Sequence, residues 1–316
     1  MTVNPRVALV TCADLPALSP DDKPLIGALA ERGIEAIPAI WNDAEIDWAA
    51  FDLAVVRSTW DYAQRRPEFV DWAKSVPRLA NPAEVVEWNT DKSYLRALEA
   101  AGVPVIPTVW LDPARHFSKR AVHTRMPAHG DFVVKPVVAS RVKDAGRYQP
   151  VDVQSRIKAI QHVMRLLDSQ RWVMLQPYVS SVDKAGEISL VYVNGEFQHA
   201  ASKGTLLTGP APTVGLGLYR PLEEVRPVEP TLAQREVAGR ALDVVTAELG
   251  LTESLLYARV DLVTGKDGPL VIELELTEPS LWFAYSGGVP TLANFANAIA
   301  TRVGIPGSRS SNATFR

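Results

Sequence analysis

The chain has 316 residues, 47% of them hydrophobic, and a formal net charge of -3. That length supports two or three lobes around real cores, and the near-neutral balance leaves no electrostatic footprint for nucleic acid. With Cys12 as the single cysteine, an intrachain disulfide and a cysteine zinc centre are both excluded.

Arg6 to Thr11 (RVALVT) reads as a strand. Asp21 to Arg32 follows as a helix with Leu25, Ile26 and Leu29 on one face and Gly33 as its stop. Ile34 to Ile40 and Phe51 to Arg57 are the next strands. Strand, helix, strand at the start suggests an open parallel sheet. Asn89 to Ala101 reads as one helix, capped by Asn89 or Thr90 and ended by Gly102. Asp131 to Val138 is a strand with Lys135 inside it, Val151 to Leu167 an amphipathic helix, and Trp172 to Val179 a further strand. Glu187 to Ala201 reads as a hairpin turning at Asn194-Gly195. Residues 203–219 read as a long glycine-containing loop, Thr231 to Leu249 as a helix, and Thr291 to Val303 as the last helix.

The stretch YARVDLVTGKDGPLVIELEL, residues 257–276, carries the chemistry. A turn over 265–269 sets Asp261 opposite Glu273 and Arg259 opposite Glu275. Strand alternation then puts these four on one face, and Val260, Leu262, Ile272 and Leu274 on the other. Three carboxylates that close raise one another's pKa values and require positive charge. Arg259 supplies some of it, and a divalent cation on oxygen ligands (Mg²⁺, Mn²⁺ or Ca²⁺) would supply more. A solvated face of cross-strand ion pairs and a two-carboxylate acid–base site remain open alternatives.

Two lysines bear on that choice. Lys135 interrupts the apolar run FVVKPVV, where a lysine is costly unless paired. An edge-strand lysine that blocks aggregation is the alternative. Lys92 falls in the first turn of its expected helix, where the macrodipole disfavours a cation unless an anion is bound. Acids suited to a metal, together with two isolated lysines, imply a bound polyphosphate.

In order, the motifs NTDK, VVKP, QPYV, GEISL, ARVD and IELEL resemble the ATP-grasp superfamily over residues 85–285. RSTWDY (57–62), YARVDLV and ELELTEPSL (273–281) resemble the branch that contains the O-ureido-serine cyclo-ligases of cycloserine synthesis. This resemblance implies an α/β fold, α+β in its C-terminal part, with three lobes and an N-terminal open parallel sheet. The expected boundaries are 1–112, 113–179 for the lid lobe, 180–306 for the catalytic lobe, and a flexible tail over 307–316. It also implies an ATP- and Mg²⁺-dependent ligase, with Mn²⁺ as a substitute. Such an enzyme phosphorylates the carboxylate of an amino-acid-like substrate and forms an amide by amine attack, within one molecule or between two. A nucleotide sensor of the same fold and a dipeptide ligase are the rival readings.

Residue by residue, the resemblance places Asp261, Glu273 and Glu275 on the metal and Arg259 on the transferred group or the tetrahedral intermediate. Lys92, Lys135 and Lys203 would meet phosphates, Ser140 and Arg141 the lid side, Gln176, Pro177, Tyr178 and Val179 the adenine hinge, and Glu187 the ribose. The Asn194-Gly195 register instead puts Lys203 and Glu187 on opposite faces, so a bulge or a loop placement is needed to bring them together. Arg57 ends a strand where open α/β sheets bind ligands. With Ser58, Thr59, Trp60, Asp61 and Tyr62 it would clamp the substrate, joined by Thr277, Glu278 and Ser280; a plain surface turn is the alternative. His116, His123, His129, His162 and His199 lack metal-ligand spacing.

The expected partners are therefore ATP and a small amino-acid-like substrate, with no nucleic acid and no membrane; a homo-oligomer stays open. No apolar run approaches the ~20 residues of a membrane span. The first residues lack a signal-peptide pattern, and a single cysteine fits the reducing cytoplasm expected here.

Overall fold

A computed structural model describes residues 4–140, 144–204, 207, 209–210 and 225–305. Three sheets organise them. The first is parallel, in the order β2 (Glu35–Ile40), β1 (Arg6–Thr11), β3 (Leu53–Ser58), β4 (Leu79–Ala80). Its central strands are apolar on both faces, as a sheet covered on both sides requires. Val7 and Leu9 pack under α1 (Pro24–Ala30) and α9 (Thr291–Arg302). Ala8 and Val10 pack against Phe69 and Trp72 of α2 (Arg66–Ser75).

The second sheet is antiparallel: β5 (Val109–Leu111), β8 (Val173–Pro177), β6 (Phe132–Pro136), β7 (Gly146–Tyr148). Helices α5 (Lys119–His123) and α6 (Val153–Asp168) close its core. This sheet takes in Val109–Leu111, which lie N-terminal to the expected boundary at 112.

The third sheet, also antiparallel, runs β11 (Val225–Val228), β10 (Glu196–Lys203), β9 (Glu187–Val193), β12 (Tyr257–Gly265), β13 (Gly268–Glu275). One face carries Leu190, Val260, Leu262 and Leu274. It packs on α8 (Leu232–Leu249) and on α4 (Tyr94–Ala100). Thr231 starts α8 with the reciprocal capping box it shares with Gln234. The other face is divided. Val191, Val193 and Tyr257 lie under α9 in the core shared with the first sheet. From Arg259 onward that face carries the charged residues. The short α7 (Val182–Ala185) leads into β9.

Several elements differ from the sequence expectation. The helix expected over 89–101 is two helices, α3 (Ala83–Asn89) and α4, with Lys92 in the turn between them. Asn89 is not a cap: its side chain donates to the Leu274 carbonyl and accepts from Leu276 N, so the backbone bends to follow β13. The β12–β13 turn is one residue tighter than expected, pairing Gly265 with Gly268, and a bulge after Asp261 absorbs the difference. Ile272 falls at that bulge. It packs with Val263 and Ile106 on the charged side, not in the core with Leu262 as expected. Most of the 203–219 loop and the tail from 307 lie outside the described residues. Among the described residues no helix is long and apolar enough to cross a membrane.

Candidate active site

The site begins with register. Across β12 and β13, Arg259 pairs with Glu275 and Asp261 with Glu273, as the alternation predicts. Arg259 donates from Nε to Asp261 Oδ1 (2.8 Å), from Nη2 to Asp261 Oδ2 (2.9 Å) and from Nη2 to Glu275 Oε1 (2.6 Å). In β10 a bulge between Phe197 and His199 shifts the strand by one residue, so Lys203 pairs with Glu187. Lys203 Nζ then lies 2.7 Å from Glu187 Oε2 and 2.8 Å from Asp261 Oδ2. Gly186 permits this approach, because a Cβ there would sit 2.5 Å from the Lys203 carbonyl oxygen.

Lys92 enters from the α3–α4 turn, its Nζ 2.9 Å from Glu273 Oε1 and donating to the Ala139 carbonyl (2.8 Å). Lys135, on β6, faces the same charges. It lines a cleft with Ile106, Val133, Val182, Val263, Ile272 and Glu187. Gln176, Pro177, Tyr178 and Val179 form one wall of this cleft. An apolar slot with one cation and one acid suits a flat heterocycle carrying a ribose and phosphates.

The electrostatics are unbalanced. Lys92, Lys135, Lys203 and Arg259 face Glu187, Asp261, Glu273, Glu275 and Glu278, one carboxylate more than the cations match. Burial would raise the Asp261 carboxyl, but Arg259 and Lys203 hold it well below the usual range. Burial also opposes ionisation of Glu273, yet Lys92 and Lys135 bring it down. Burial, with Glu273 and Asp261 outweighing Arg259, leaves Glu275 raised, and burial with Glu275 pushes Glu278 to about 8. Burial lowers Lys135 to about 8. Burial and like charge thus disfavour ionisation of Glu275 and Glu278, and a divalent cation beside them would relieve that repulsion.

The donors in reach are all oxygens, which suits Mg²⁺. Ion pairs engage Oε1 of both Glu273 and Glu275, whose side chains are 27% and 25% exposed. Asp261 is different: it is fully buried, and Arg259 and Lys203 take both its oxygens. Among the described residues no group of three or more His, Cys, Asp or Glu is gathered as a metal cage. Glu273 and Glu275 are therefore the accessible donors, and Asp261 anchors two cations.

In segment 57–62 the side chains of Arg57, Ser58, Trp60 and Asp61 have partners within the chain. Arg57, expected to clamp a substrate carboxylate, is completely buried. Its Nε donates to Asp22 Oδ1 (2.8 Å) and its Nη2 to the Pro279 carbonyl (2.6 Å). Its guanidinium also lies over the Tyr257 and Phe295 rings. Ser58 bonds Asp22 Oδ2, Thr59 is fully buried, and Tyr62 stacks on Phe69. The Trp60 indole donates to the Glu278 carbonyl (3.2 Å). Asp61 accepts from Trp41 Nε1 and is raised by its own burial. Segments 57–62 and 277–283 therefore touch each other, which explains why the sequence carries both. Thr277 is buried and bonds Asn89 Oδ1 (3.2 Å), and Ser280 offers its carbonyl to Arg259 Nη1 (3.0 Å). Ser140 is buried beside Ala139, and Arg141 lies outside the described residues.

Several supports were not legible in the sequence. Asn81 donates to the Tyr257 and Leu276 carbonyls and accepts from Leu256 N. Tyr94 bonds both backbone groups of Leu274. The Trp282 ring lies 4.5 Å from the Arg259 guanidinium. These residues carry no spacing signal; only their partners reveal them.

Comparison with known proteins gives consistent results. Residues 7–81 match the family model described as the N-terminal domain of D-cycloserine synthetase DcsG. The cycloserine biosynthesis protein DcsG of Streptomyces lavendulae is 39% identical over 94% of this chain and 98% of its own. The crystal structure of D-cycloserine synthetase DcsG superposes with a TM-score of 0.82 at 39% identity, covering 94% of this chain and 99% of that one. A RimK domain ATP-grasp protein from Sphaerobacter thermophilus superposes at 0.63 and 20% identity over 93% and 98% of the two chains, a likeness of fold.

Proposed function

This chain belongs to the D-cycloserine synthetase family of ATP-grasp ligases, and from that premise we propose that it closes the ring of a cycloserine precursor. It is an ATP-dependent ligase that forms C–N bonds. The observation that carries the proposal is the single sheet face on which Lys203, Asp261, Arg259 and Glu275 form one chain of ion pairs, beside the Lys92–Glu273 pair.

In this reading the adenine sits in the cleft walled by Gln176–Val179 and Ile272. Lys92, Lys135 and Lys203 receive phosphate charge, which a dry, low-dielectric site makes strong. Glu273 and Glu275 would hold Mg²⁺, or Mn²⁺ in its place, with Asp261 behind them. When bound, the ion supplies charge neutralisation to the phosphates.

The substrate is an amino-acid-like molecule whose carboxylate oxygen attacks the γ-phosphorus, breaking the bond to ADP. The resulting acyl phosphate has a carbonyl carbon that a nitrogen of the same molecule attacks. Inorganic phosphate leaves and the nitrogen gives up its proton; when the substrate is an O-ureido-serine the ring nitrogen still carries a carbamoyl group, which one water removes as carbon dioxide and ammonia. Arg259 stays charged throughout, since burial is outweighed by Asp261 and Glu275. It is placed to stabilise the oxyanion of the tetrahedral state. Excluding water from the cleft protects the acyl phosphate.

Incubation with O-ureido-D-serine, ATP and Mg²⁺ should release ADP and phosphate and yield D-cycloserine by mass spectrometry. ADP release that requires a second amino acid and yields a linear amide would instead make this an intermolecular ligase.

A further inference from the structure

Residues 278–283 run as a strap between the first sheet and the charged face. From the first-sheet side, Trp60 Nε1 donates to the Glu278 carbonyl (3.2 Å) and Arg57 Nη2 to the Pro279 carbonyl (2.6 Å). On the same side, the Asp21 carboxylate accepts from Trp282 N (2.8 Å) and Phe283 N (3.0 Å). From the opposite side, Arg259 Nη1 donates to the Ser280 carbonyl (3.0 Å), and its guanidinium lies 4.5 Å from the Trp282 ring centroid. Trp282 adopts a φ of 49°, a left-handed conformation that a bulky side chain keeps only where its surroundings impose it. Asp21 holds the amide of that very residue.

Neither Arg57 nor Asp21 reaches the charged face. Arg57 is locked by Asp22 and by the Tyr257 and Phe295 rings, 5.1 and 5.4 Å away, so it is a fixed post. Arg259, by contrast, has its fork oriented by Asp261 and Glu275, while one of its two Nη1 N–H groups and its flat face are oriented by the strap. Loss of the strap would leave both acid pairs intact and let the guanidinium tilt.

We propose that Asp21 and Arg57 are positioning residues for the ligation step, setting Arg259 in place through the 278–283 strap. The inference rests on the role given to Arg259 above. It makes the end of the first sheet part of the catalytic geometry without any contact to substrate. Misplacing a catalytic group by about 1 Å costs roughly 100-fold in rate.

The test is Asp21→Asn. An amide offers one acceptor oxygen to two backbone N–H groups, so one strap anchor is lost. Burial and the neighbouring Asp22 push the Asp21 carboxyl up to about 6, so a neutral side chain should hold or raise Tm. Turnover should nevertheless fall about 10- to 100-fold, with KM for ATP unchanged. Arg57→Lys keeps a cation beside Asp22 but drops the Pro279 bond, and should likewise lower kcat without moving KM for ATP. Lysine at 259 cannot reproduce the Nη1 donation to the Ser280 carbonyl, so Asp21→Asn in an Arg259→Lys background should cause no further loss.

Unchanged kcat in Asp21→Asn, additive losses in the double variant, or loss of the fold in both Asp21→Asn and Arg57→Lys would overturn the proposal. No ATP-dependent turnover in the unsubstituted protein would count against the ligase reading itself. Normal turnover with additive losses would count against the strap alone.

Discussion

Lys203 and Glu187 meet at 2.7 Å because β10 carries one extra residue between Phe197 and His199. Without that bulge the Asn194-Gly195 turn would send Lys203 to the apolar face, since a one-residue slip reverses every side chain. With it, Lys203 also reaches Asp261 at 2.8 Å. One inserted residue near the turn thus places a buried cation between two carboxylates at the far end of the strand.

Lys203→Gln should therefore damage both function and stability. It leaves the Asp261 and Glu187 carboxylates short of a cation in a buried place, a loss of about 3 kcal/mol by analogy with other broken buried pairs. Adding Glu187→Gln should recover much of the Tm, whereas activity should stay low. Thermal melts and ADP release on the single and double variants measure both.

Glu273→Gln should abolish detectable turnover while the fold persists. The side chain pairs with Lys92 at the surface of the site and is 27% exposed, so an amide fits. The variant should keep its circular dichroism spectrum and lose the Mg²⁺ dependence of nucleotide binding. Near-normal ADP release would remove Glu273 from the metal.

Arg57→Met should destabilise the protein before it affects any substrate contact. It strands the buried Asp22 carboxylate, for which about 3–5 kcal/mol is expected. Arg57→Met with Asp22→Asn should recover most of that loss. A variant with normal Tm and a raised KM for the amino-acid substrate alone would return Arg57 to the substrate pocket.

Nucleotide binding should weaken as pH rises through 8. Burial lowers Lys135 to about 8, so the free protein loses this charge within the working range. Phosphate favours the charged form, so ATP binding near pH 8.5 should take up protons, with less uptake at pH 7. Titration calorimetry in buffers of different ionisation enthalpy reads this directly, and Lys135→Met should abolish the uptake.

How much of this was legible in the sequence depends on the range of the cause. Strand alternation fixed the pairing of Arg259 with Glu275 and of Asp261 with Glu273, because those partners are close in the chain. It misplaced Ile272, because a bulge is invisible in the apolar pattern. The Asn194-Gly195 turn stood out, yet the bulge that corrects its register did not. Arg57 looked like a ligand clamp at a strand end. Its partners, Asp22 and the Pro279 carbonyl, lie 35 and 222 residues away and left no local trace. Asn89 looked like a helix cap for the same reason, and Asn81 carried no local signal at all.

The central claim is that a substrate carboxylate is phosphorylated before the C–N bond forms. O-ureido-D-serine labelled with ¹⁸O in both carboxylate oxygens tests it most directly. The account predicts one ¹⁸O in the inorganic phosphate and one in the carbonyl of the ring product. Turnover that yields unlabelled phosphate would contradict it.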